Sequence, residues 1–269
     1  MLPLHKYTTQ SLVFALVSLG LLITPHQAKA VTITPLTSQD ATPGFDDTDF
    51  NLLLDNGDFK ELFVAEGRIG NNAGNGTQEL SINRDVRAAE KPGQPIIQDQ
   101  LTWGNGKLWD FKLQYDGSKV TYEIFESGNS AAAKILSTTE FTGPATDIFL
   151  RTRARDNTTS TTSNSITLSD LVFNGTSIGN LSSVGSATKD IDYLHLSNIT
   201  TNFTLTGKTS FSWTGATPTN SNLAFQIKVG TSPQSASVPE SVPEPGMLGG
   251  ICLVATMGIA VSKRKKVAV

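Results

Sequence analysis

Apolar and polar residues alternate through most of residues 31–229, which predicts β-strands with one apolar side each. Two such segments, residues 111–115 and 120–124, are separated by the turn dipeptide Asp116-Gly117. Other turn signals between alternating segments are Asn105-Gly106, which separates the predicted strand segments 101–103 and 109–111, Asn174-Gly175 and Gly207. Many strands with frequent turns predict an all-β fold, a single antiparallel β-sandwich of jelly-roll-like type over residues 31–230.

Four stretches depart from this pattern. Residues 130–136 weakly indicate a helical turn. Residues 71–77 and 156–165 are rich in Gly, Asn, Ser and Thr and have no apolar anchors, so we expect exposed loops there. Residues 231–246 are rich in Pro and Ser, which predicts an extended linker because proline fixes φ and removes a donor.

The first 30 residues have the pattern of a secretory signal peptide. Lys6 precedes the apolar residues 12–23, and the small residues Ala28 and Ala30 follow. The apolar run is too short to span a bilayer as a helix. We therefore predict export through the Sec translocon and cleavage after Ala30 by signal peptidase. The alternative is a retained N-terminal anchor.

A second apolar segment, residues 247–262, carries no charge and precedes a basic cluster. As a helix it would be about 24 Å long, shorter than the hydrocarbon core of about 30 Å. Basic side chains that reach the interface can cover the difference. We predict a transmembrane helix with a cytoplasmic tail at 263–269, which places the β domain outside. The cluster consists of Lys263, Arg264, Lys265 and Lys266.

Charge and cysteine usage narrow the function. Residues 31–242 hold 23 of the 24 acidic residues but only 15 of the 21 basic ones. This acidic body argues against nucleic-acid binding, which needs a basic face. The single cysteine, Cys252, lies in the second apolar segment. The predicted domain therefore has no disulfide, thiol nucleophile or cysteine metal site.

The end of the chain resembles a PEP-CTERM sorting signal. Pro243, Glu244 and Pro245 are followed by the short apolar segment and then by the basic cluster. In that family the Pro-Glu-Pro motif is recognised by exosortase, a membrane-embedded cysteine protease, and the body is released or transferred to the exterior. The resemblance implies an exosortase substrate of a Gram-negative bacterium that makes extracellular polysaccharide.

The body resembles a choice-of-anchor domain of the W type. The resemblance spans most of the domain but is structural, and it implies neither an activity nor catalytic residues. It is carried by residues 79–83, 101–103, 111–117, 120–122, 148–153, 167–179, 212–215 and 222–230.

Catalytic chemistry has little support in the sequence. Of three histidines, His5 and His26 fall in the predicted signal peptide, so the domain retains His195 alone. Its setting, between Leu194 and Leu196, is typical of a histidine on a strand face. There is no Gly-x-Ser-x-Gly elbow, and zinc sites need several His or Cys ligands. We expect a protein that is not an enzyme.

Two ligand hypotheses remain. A cluster of aspartates could hold a structural calcium ion, since hard cations prefer oxygen ligands from flexible loops, but acidic residues are also simply good turn residues. Trp103 and Trp109 could stack on a sugar ring if they face solvent, whereas aromatic cross-strand pairs more often stabilise sheets. The aspartates are Asp46, Asp47, Asp49, Asp55 and Asp58.

Together these features predict a non-enzymatic, exported cell-surface or extracellular-matrix protein that an exosortase processes. The membrane would hold the precursor through the C-terminal helix. The alternative is a carbohydrate-binding module associated with extracellular polysaccharide.

Overall fold

The computed structural model describes residues 30–36, 44–70, 78–155, 163–185, 189–199 and 202–233. These residues contain thirteen strands and one helix, joined by turns and loops. In chain order they are β1 (Thr32–Leu36), α1 (Asp47–Asn56), β2 (Lys60–Ile69), β3 (Gln78–Asn83), β4 (Pro95–Gln100), β5 (Leu108–Tyr115), β6 (Val120–Glu126), β7 (Ala132–Thr138), β8 (Asp147–Ala154), β9 (Asn164–Phe173), β10 (Thr176–Gly185), β11 (Asp190–Ser197), β12 (Phe203–Ser212) and β13 (Leu223–Thr231).

The strands form two antiparallel sheets, which confirms the predicted all-β sandwich. Sheet A has the order β1-β11-β8-β13-β2-β3-β4, and sheet B has the order β10-β9-β12-β5-β6-β7. Every pair of neighbouring strands is antiparallel. The chain passes from one sheet to the other after β4, β7, β8, β10, β11 and β12.

The space between the sheets is filled by large aromatic and aliphatic side chains. Phe111 of sheet B stacks on Phe225 of sheet A, with ring centroids 6.0 Å apart. Gly67 makes room for this packing, because a Cβ there would lie 2.6 Å from the rings of both Trp103 and Phe225. Burial of apolar area on this scale is the main stabilising term of a cysteine-free domain.

Three local predictions are wrong. Residues 130–136 form no helical turn, since most of them belong to β7. Gly207 is not in a turn but inside β12, where a Cβ would lie 2.7 Å from Leu171 and 2.9 Å from Phe111. Leu101 and Trp103 follow β4 without being part of a strand.

Helix α1 was not predicted. It begins at a capping box, in which the Asp46 carboxylate accepts from the amide of Thr48 and the Asp49 carboxylate accepts from the amide of Asp46. It ends at Gly57, whose φ of 77° is the left-handed conformation that glycine adopts at helix ends.

Several predicted segments lie outside the described residues. They are the signal peptide (apart from Ala30), the loop at 71–77, most of the loop at 156–165, most of the linker, and the C-terminal helix and basic tail. Within the residues that are described, no helix is long and apolar enough to cross a membrane.

Candidate functional site

The outer face of sheet A is covered at one end by helix α1. Phe50 and Leu54 of the helix are buried in a second apolar cluster, separate from the core between the sheets. Phe50 stacks on Tyr193 of β11, with centroids 5.5 Å apart, and meets Phe149 of β8 edge-on at 5.2 Å. The helix therefore shields polar positions of β2, β8, β11 and β13 that a bare sheet would leave in water.

Asp47, in the first turn of α1, is bound by two side chains from sheet A. The Arg151 guanidinium donates to both carboxylate oxygens at 2.6 Å, and the Tyr193 hydroxyl donates at 2.8 Å. Burial raises the pKa of Asp47, but Arg151 and Tyr193 outweigh it and lower that pKa to about 2. Since Arg151 is almost fully buried, this bidentate pair fixes the helix to the sheet.

A second ion pair lies deeper under the helix. Lys228 of β13 donates to Glu61 of β2 at 2.9 Å, and its ammonium sits 4.5 Å from the centre of the Phe50 ring. The other Glu61 oxygen accepts from the amide of Val86 at 3.1 Å. Burial and the charge of Glu61 raise the pKa of the neighbouring Asp85. Both Lys228 and Glu61 are buried.

A third polar group lies toward β3. Glu66, which is buried, accepts from Ser81 at 3.1 Å and from the amide nitrogen of Gln226 at 2.9 Å. Arg68 pairs with Glu79 and lies 3.4 Å from a Glu66 oxygen. These side chains come from three neighbouring strands and form a hydrogen-bonded patch next to the helix.

A cavity of about 310 Å³ opens between this patch and the helix. Its lining is mainly polar and charged, and it includes Asp47, Asn51, Glu66, Arg68, Arg87, Arg151, Arg153, Tyr193, Ser221, Gln226 and Lys228. Arg153 follows Arg151 by two residues on β8, so both point to this face. The Nε of Arg153 is buried and has no hydrogen-bond partner among the described residues. The cavity is our candidate functional site.

A second cavity of about 380 Å³ lies at the end of sheet B where β5, β6, β9 and β12 meet. Its polar groups already serve the local turns. The Asp116 carboxylate accepts from the amides of Ser118 and Lys119, and the Asn174 side chain accepts from the amide of Thr204. We regard it as a product of turn packing.

The five aspartates predicted for calcium have other roles. Asp46 and Asp49 cap α1, Asp47 pairs with Arg151, and Asp55 pairs with Arg87. Asp58 lies in the turn after the helix. In the part of the chain that the structure describes, no three His, Cys, Asp or Glu side chains are grouped to hold a metal ion. Part of the cluster, Asp46 to Asp49, marks the start of α1.

Trp103 and Trp109 do not face solvent, so the prediction that they stack on a sugar is wrong. Both are buried in the core, with 0% and 4% of their surface exposed. The Trp109 indole donates to the Trp103 carbonyl at 2.6 Å, and the Trp103 indole donates to the Glu79 carbonyl at 3.2 Å. Trp109 and Phe111 are two residues apart, so they share the inner face of β5.

His195 has a structural environment. Its ring stacks on Phe149 with centroids 4.0 Å apart, and its Nε2 lies 2.8 Å from an Asp147 oxygen. The other Asp147 oxygen accepts from the hydroxyl of Thr146 and from the amide of Ser232. Burial raises the pKa of Asp147, but the hydrogen bonds from His195 and Thr146 lower it overall. The arrangement ties β8 to the end of β13.

The predicted sorting residues lie outside the described residues. They are Pro243, Glu244, Pro245, Lys263, Arg264, Lys265 and Lys266, together with Ala28 of the cleavage site. Ala30 is described and lies two residues before β1.

A comparison with models of known protein families and with curated proteins gives no match for this chain. These comparisons therefore supply neither a family nor a function.

Sequence reasoning missed the buried charges of the site. Arg151 and Arg153 are written as Arg-Thr-Arg, a spacing that puts both on one face of a strand. This signal was present, but nothing in the alternation indicates that a helix covers that face. Glu61 and Lys228 are 167 residues apart and gave no local signal.

Proposed function

We propose that this chain is an exported, non-enzymatic cell-surface or extracellular-matrix protein that an exosortase sorts through its Pro-Glu-Pro tail. One observation carries the proposal. The first described strand begins at Thr32 and the last ends at Thr231. The sandwich thus fits between the predicted cleavage after Ala30 and the motif at Pro243, so both processing steps would leave it whole.

The packing of His195 supports a non-enzymatic role. It is the single histidine of residues 31–242. One side of its ring is stacked on Phe149 and its Nε2 is engaged by Asp147. A general base needs a nitrogen within reach of a reacting group, whereas this one stabilises strand packing.

The strand connections support a finer description of the fold. The chain passes between the sheets six times, and β11 and β13, which come near the end of the chain, lie on either side of β8 in sheet A. This connectivity fits a jelly-roll-like sandwich. We propose the same identity as the sequence resemblance implies, a choice-of-anchor domain of the W type. Its role is then to display the sandwich outside the cell.

The proposed route has two steps. The Sec translocon exports the chain and signal peptidase removes residues 1–30. The segment 247–262 then holds the precursor in the inner membrane of a Gram-negative bacterium until exosortase acts near the motif, after which the domain reaches the cell surface or matrix.

The test is to replace Glu244 with Gln in the full chain and to express it in a host that carries exosortase. We expect the wild type to give a released species that begins at Val31 and ends near Pro243. Glu244→Gln should leave the precursor in the membrane. The matched control is Glu240→Gln, because residues 238–240 repeat Val-Pro-Glu without the second proline, and it should be processed normally.

Intact mass of the released and membrane fractions decides the outcome. Unchanged release of the Glu244→Gln variant would exclude the motif. A wild-type protein that keeps residues 263–269 in the membrane would show that the tail is a permanent anchor.

The alternative, a carbohydrate-binding module for extracellular polysaccharide, needs a contact surface other than the two buried tryptophans. The cavity beside α1, which is lined mainly by polar and charged side chains, is the surface we would test for it.

A further inference from the structure

We propose that Lys228 and Glu61 condense to an amide, an isopeptide cross-link between the side chains of β13 and β2. Both residues lie within described strands of the sandwich. The proposal therefore does not rest on the sorting proposal.

Two lysine–glutamate pairs of the domain have the same contact distance but different surroundings. The ammonium of Lys228 lies 2.9 Å from a Glu61 oxygen, and that of Lys107 lies 2.9 Å from a Glu126 oxygen. The side chains of the first pair are 6% and 0% exposed, whereas those of the second are 40% and 56% exposed. Both pairs hold an amine next to a carboxyl group, but the first holds them away from water.

Aromatic rings border Lys228. The Phe50 ring lies 4.5 Å from its ammonium, and Phe149 is opposite it on β8. Two ions held in such a place have lost most of their hydration. An amide carries no net charge, so condensation removes the cost of keeping both ions away from water. The same exclusion of water opposes hydrolysis of the product.

The hydrogen bonds of Glu61 suit attack by an amine. Its Oε1 contacts Lys228, and its Oε2 accepts from the amide of Val86 at 3.1 Å. A backbone amide at Oε2 stabilises the negative charge that develops there when the carboxyl carbon is attacked.

Asp85 supplies an acid beside the same carboxyl group. Burial and the neighbouring Glu61, with which Asp85 shares a hydrogen bond, raise the pKa of Asp85. It therefore keeps a proton more readily than an ordinary aspartate. A neutral Asp85 can protonate the oxygen that leaves Glu61.

The reaction balances without an oxidant or a co-reactant. A proton passes from the Lys228 ammonium to Glu61, and the neutral amine attacks the Glu61 carboxyl carbon. The C–N bond forms and the bond from that carbon to Oε1 breaks. Oε1 leaves as water with two protons that came from the nitrogen, one of them relayed by Asp85, which ends as it began. Lys228 also lines the cavity beside α1, which gives the water a way out.

The bond closes a loop of the chain from β2 to β13, and of the described strands only β1 lies outside that loop. In a domain without cysteine it restricts the unfolded chain as a disulfide does. Chain that keeps its full mass holds the two groups as an ion pair, so the contribution of the ion pair to stability is measured on that species.

The experiment is intact-mass analysis of the purified full chain in a non-ionic detergent during incubation, followed by digestion and peptide mapping. We expect a species lighter by one water molecule, in a fraction that grows with time. Mapping should give one cross-linked pair of peptides that contains Lys228 and Glu61. The peptides of Lys107 and Glu126 are the internal control and should stay separate. Incubation in denaturing urea should form no further bond.

Two variants test the roles of the residues. Lys228→Arg keeps the charge but removes the primary amine, so it should keep the full mass. Asp85→Asn keeps the contact between Lys228 and Glu61, and it should form the bond at least about 100-fold more slowly. It also keeps the test valid if Lys228→Arg does not fold. Lys107→Arg is the matched control and should lose water like the wild type.

Three results would overturn the proposal: a wild type that keeps its full mass throughout, a loss of water that maps elsewhere, such as to the Asp116-Gly117 turn, or an equal loss of water in Lys228→Arg. A link from Lys228 to Asp85 would refute Glu61 as the acyl residue, and an unchanged rate in Asp85→Asn would refute Asp85 as the acid. None of these results bears on sorting, which is measured by release from the membrane.

Discussion

The outer faces of the two sheets come from the same alternating pattern but have different environments. On sheet B the outward residues of β5 and β12, such as Lys112 and Thr206, are half-buried or exposed, and none is fully buried. On sheet A the corresponding residues of β2 and β13, such as Glu61 and Lys228, are buried. The difference is helix α1, which covers only sheet A.

This difference changes what a charge contributes to stability. On the open face an ion pair such as Lys107 with Glu126 remains hydrated, so its loss costs little. On the covered face each partner has lost its water, so removing one leaves the other buried and unpaired. Polar positions that look alike in the sequence should therefore respond differently to the same substitution.

The largest expected effect is that of Lys228→Met. It leaves the buried Glu61 carboxylate without its ammonium and beside Asp85, so we expect a loss of about 4 kcal/mol in unfolding free energy at pH 7. Urea unfolding of the full chain at pH 7 measures it.

Lys107→Met is the matched control on sheet B. It removes the same charge from a pair with Glu126 whose side chains are 40% and 56% exposed, so it should cost less than about 1 kcal/mol. Equal losses for the two variants would refute the contrast between the faces.

Asp47→Asn should have the next largest effect. It leaves Arg151 buried without a charged partner, and we expect a loss of about 3 kcal/mol at pH 7. This is the low end for buried pairs, because a third of the Asp47 side chain is exposed.

The pH dependence of this variant has a definite sign. The folded pKa of Asp47, about 2, is below the unfolded value of about 3.9. The wild type should hold this stability above pH 4 and lose it as the pH falls toward 2. The difference between wild type and Asp47→Asn should fall in the same window, and a difference constant from pH 7 to pH 2.5 would contradict the ion pair as its source.

The strands of the inner core were predictable because alternation and turn dipeptides are local signals. The segments around Asp116-Gly117 are β5 and β6, and Asn174-Gly175 separates β9 from β10. The prediction for Gly207 was wrong because the sequence alone does not distinguish a glycine inside a strand from a glycine in a turn. Glycine is needed at this position because Leu171 and Phe111 approach the backbone closely.

The covered face was not predictable to the same extent. Its helix depends on a capping box written Asp-x-x-Asp at 46–49, which also fits an acidic turn. Its ion pairs join residues far apart in sequence, and their burial follows from where α1 packs. Period-two alternation says which residues share a face but not what lies above that face.

The smallest expected effect is that of a substitution at the N-terminus of helix α1, the element that covers sheet A. Asp46→Ala removes the side chain that accepts from the amides of Thr48 and Asp49, and we expect a loss of about 1 kcal/mol. Hydrogen exchange should rise first at the α1 amides, while β5 and β12 of sheet B keep their protection. Because the Arg151 and Lys228 pairs lie under this helix, their contribution should become more sensitive to salt in the variant. If exchange instead rose equally in both sheets, the helix would be part of one cooperative unit with the core, and the two outer faces would not be energetically distinct.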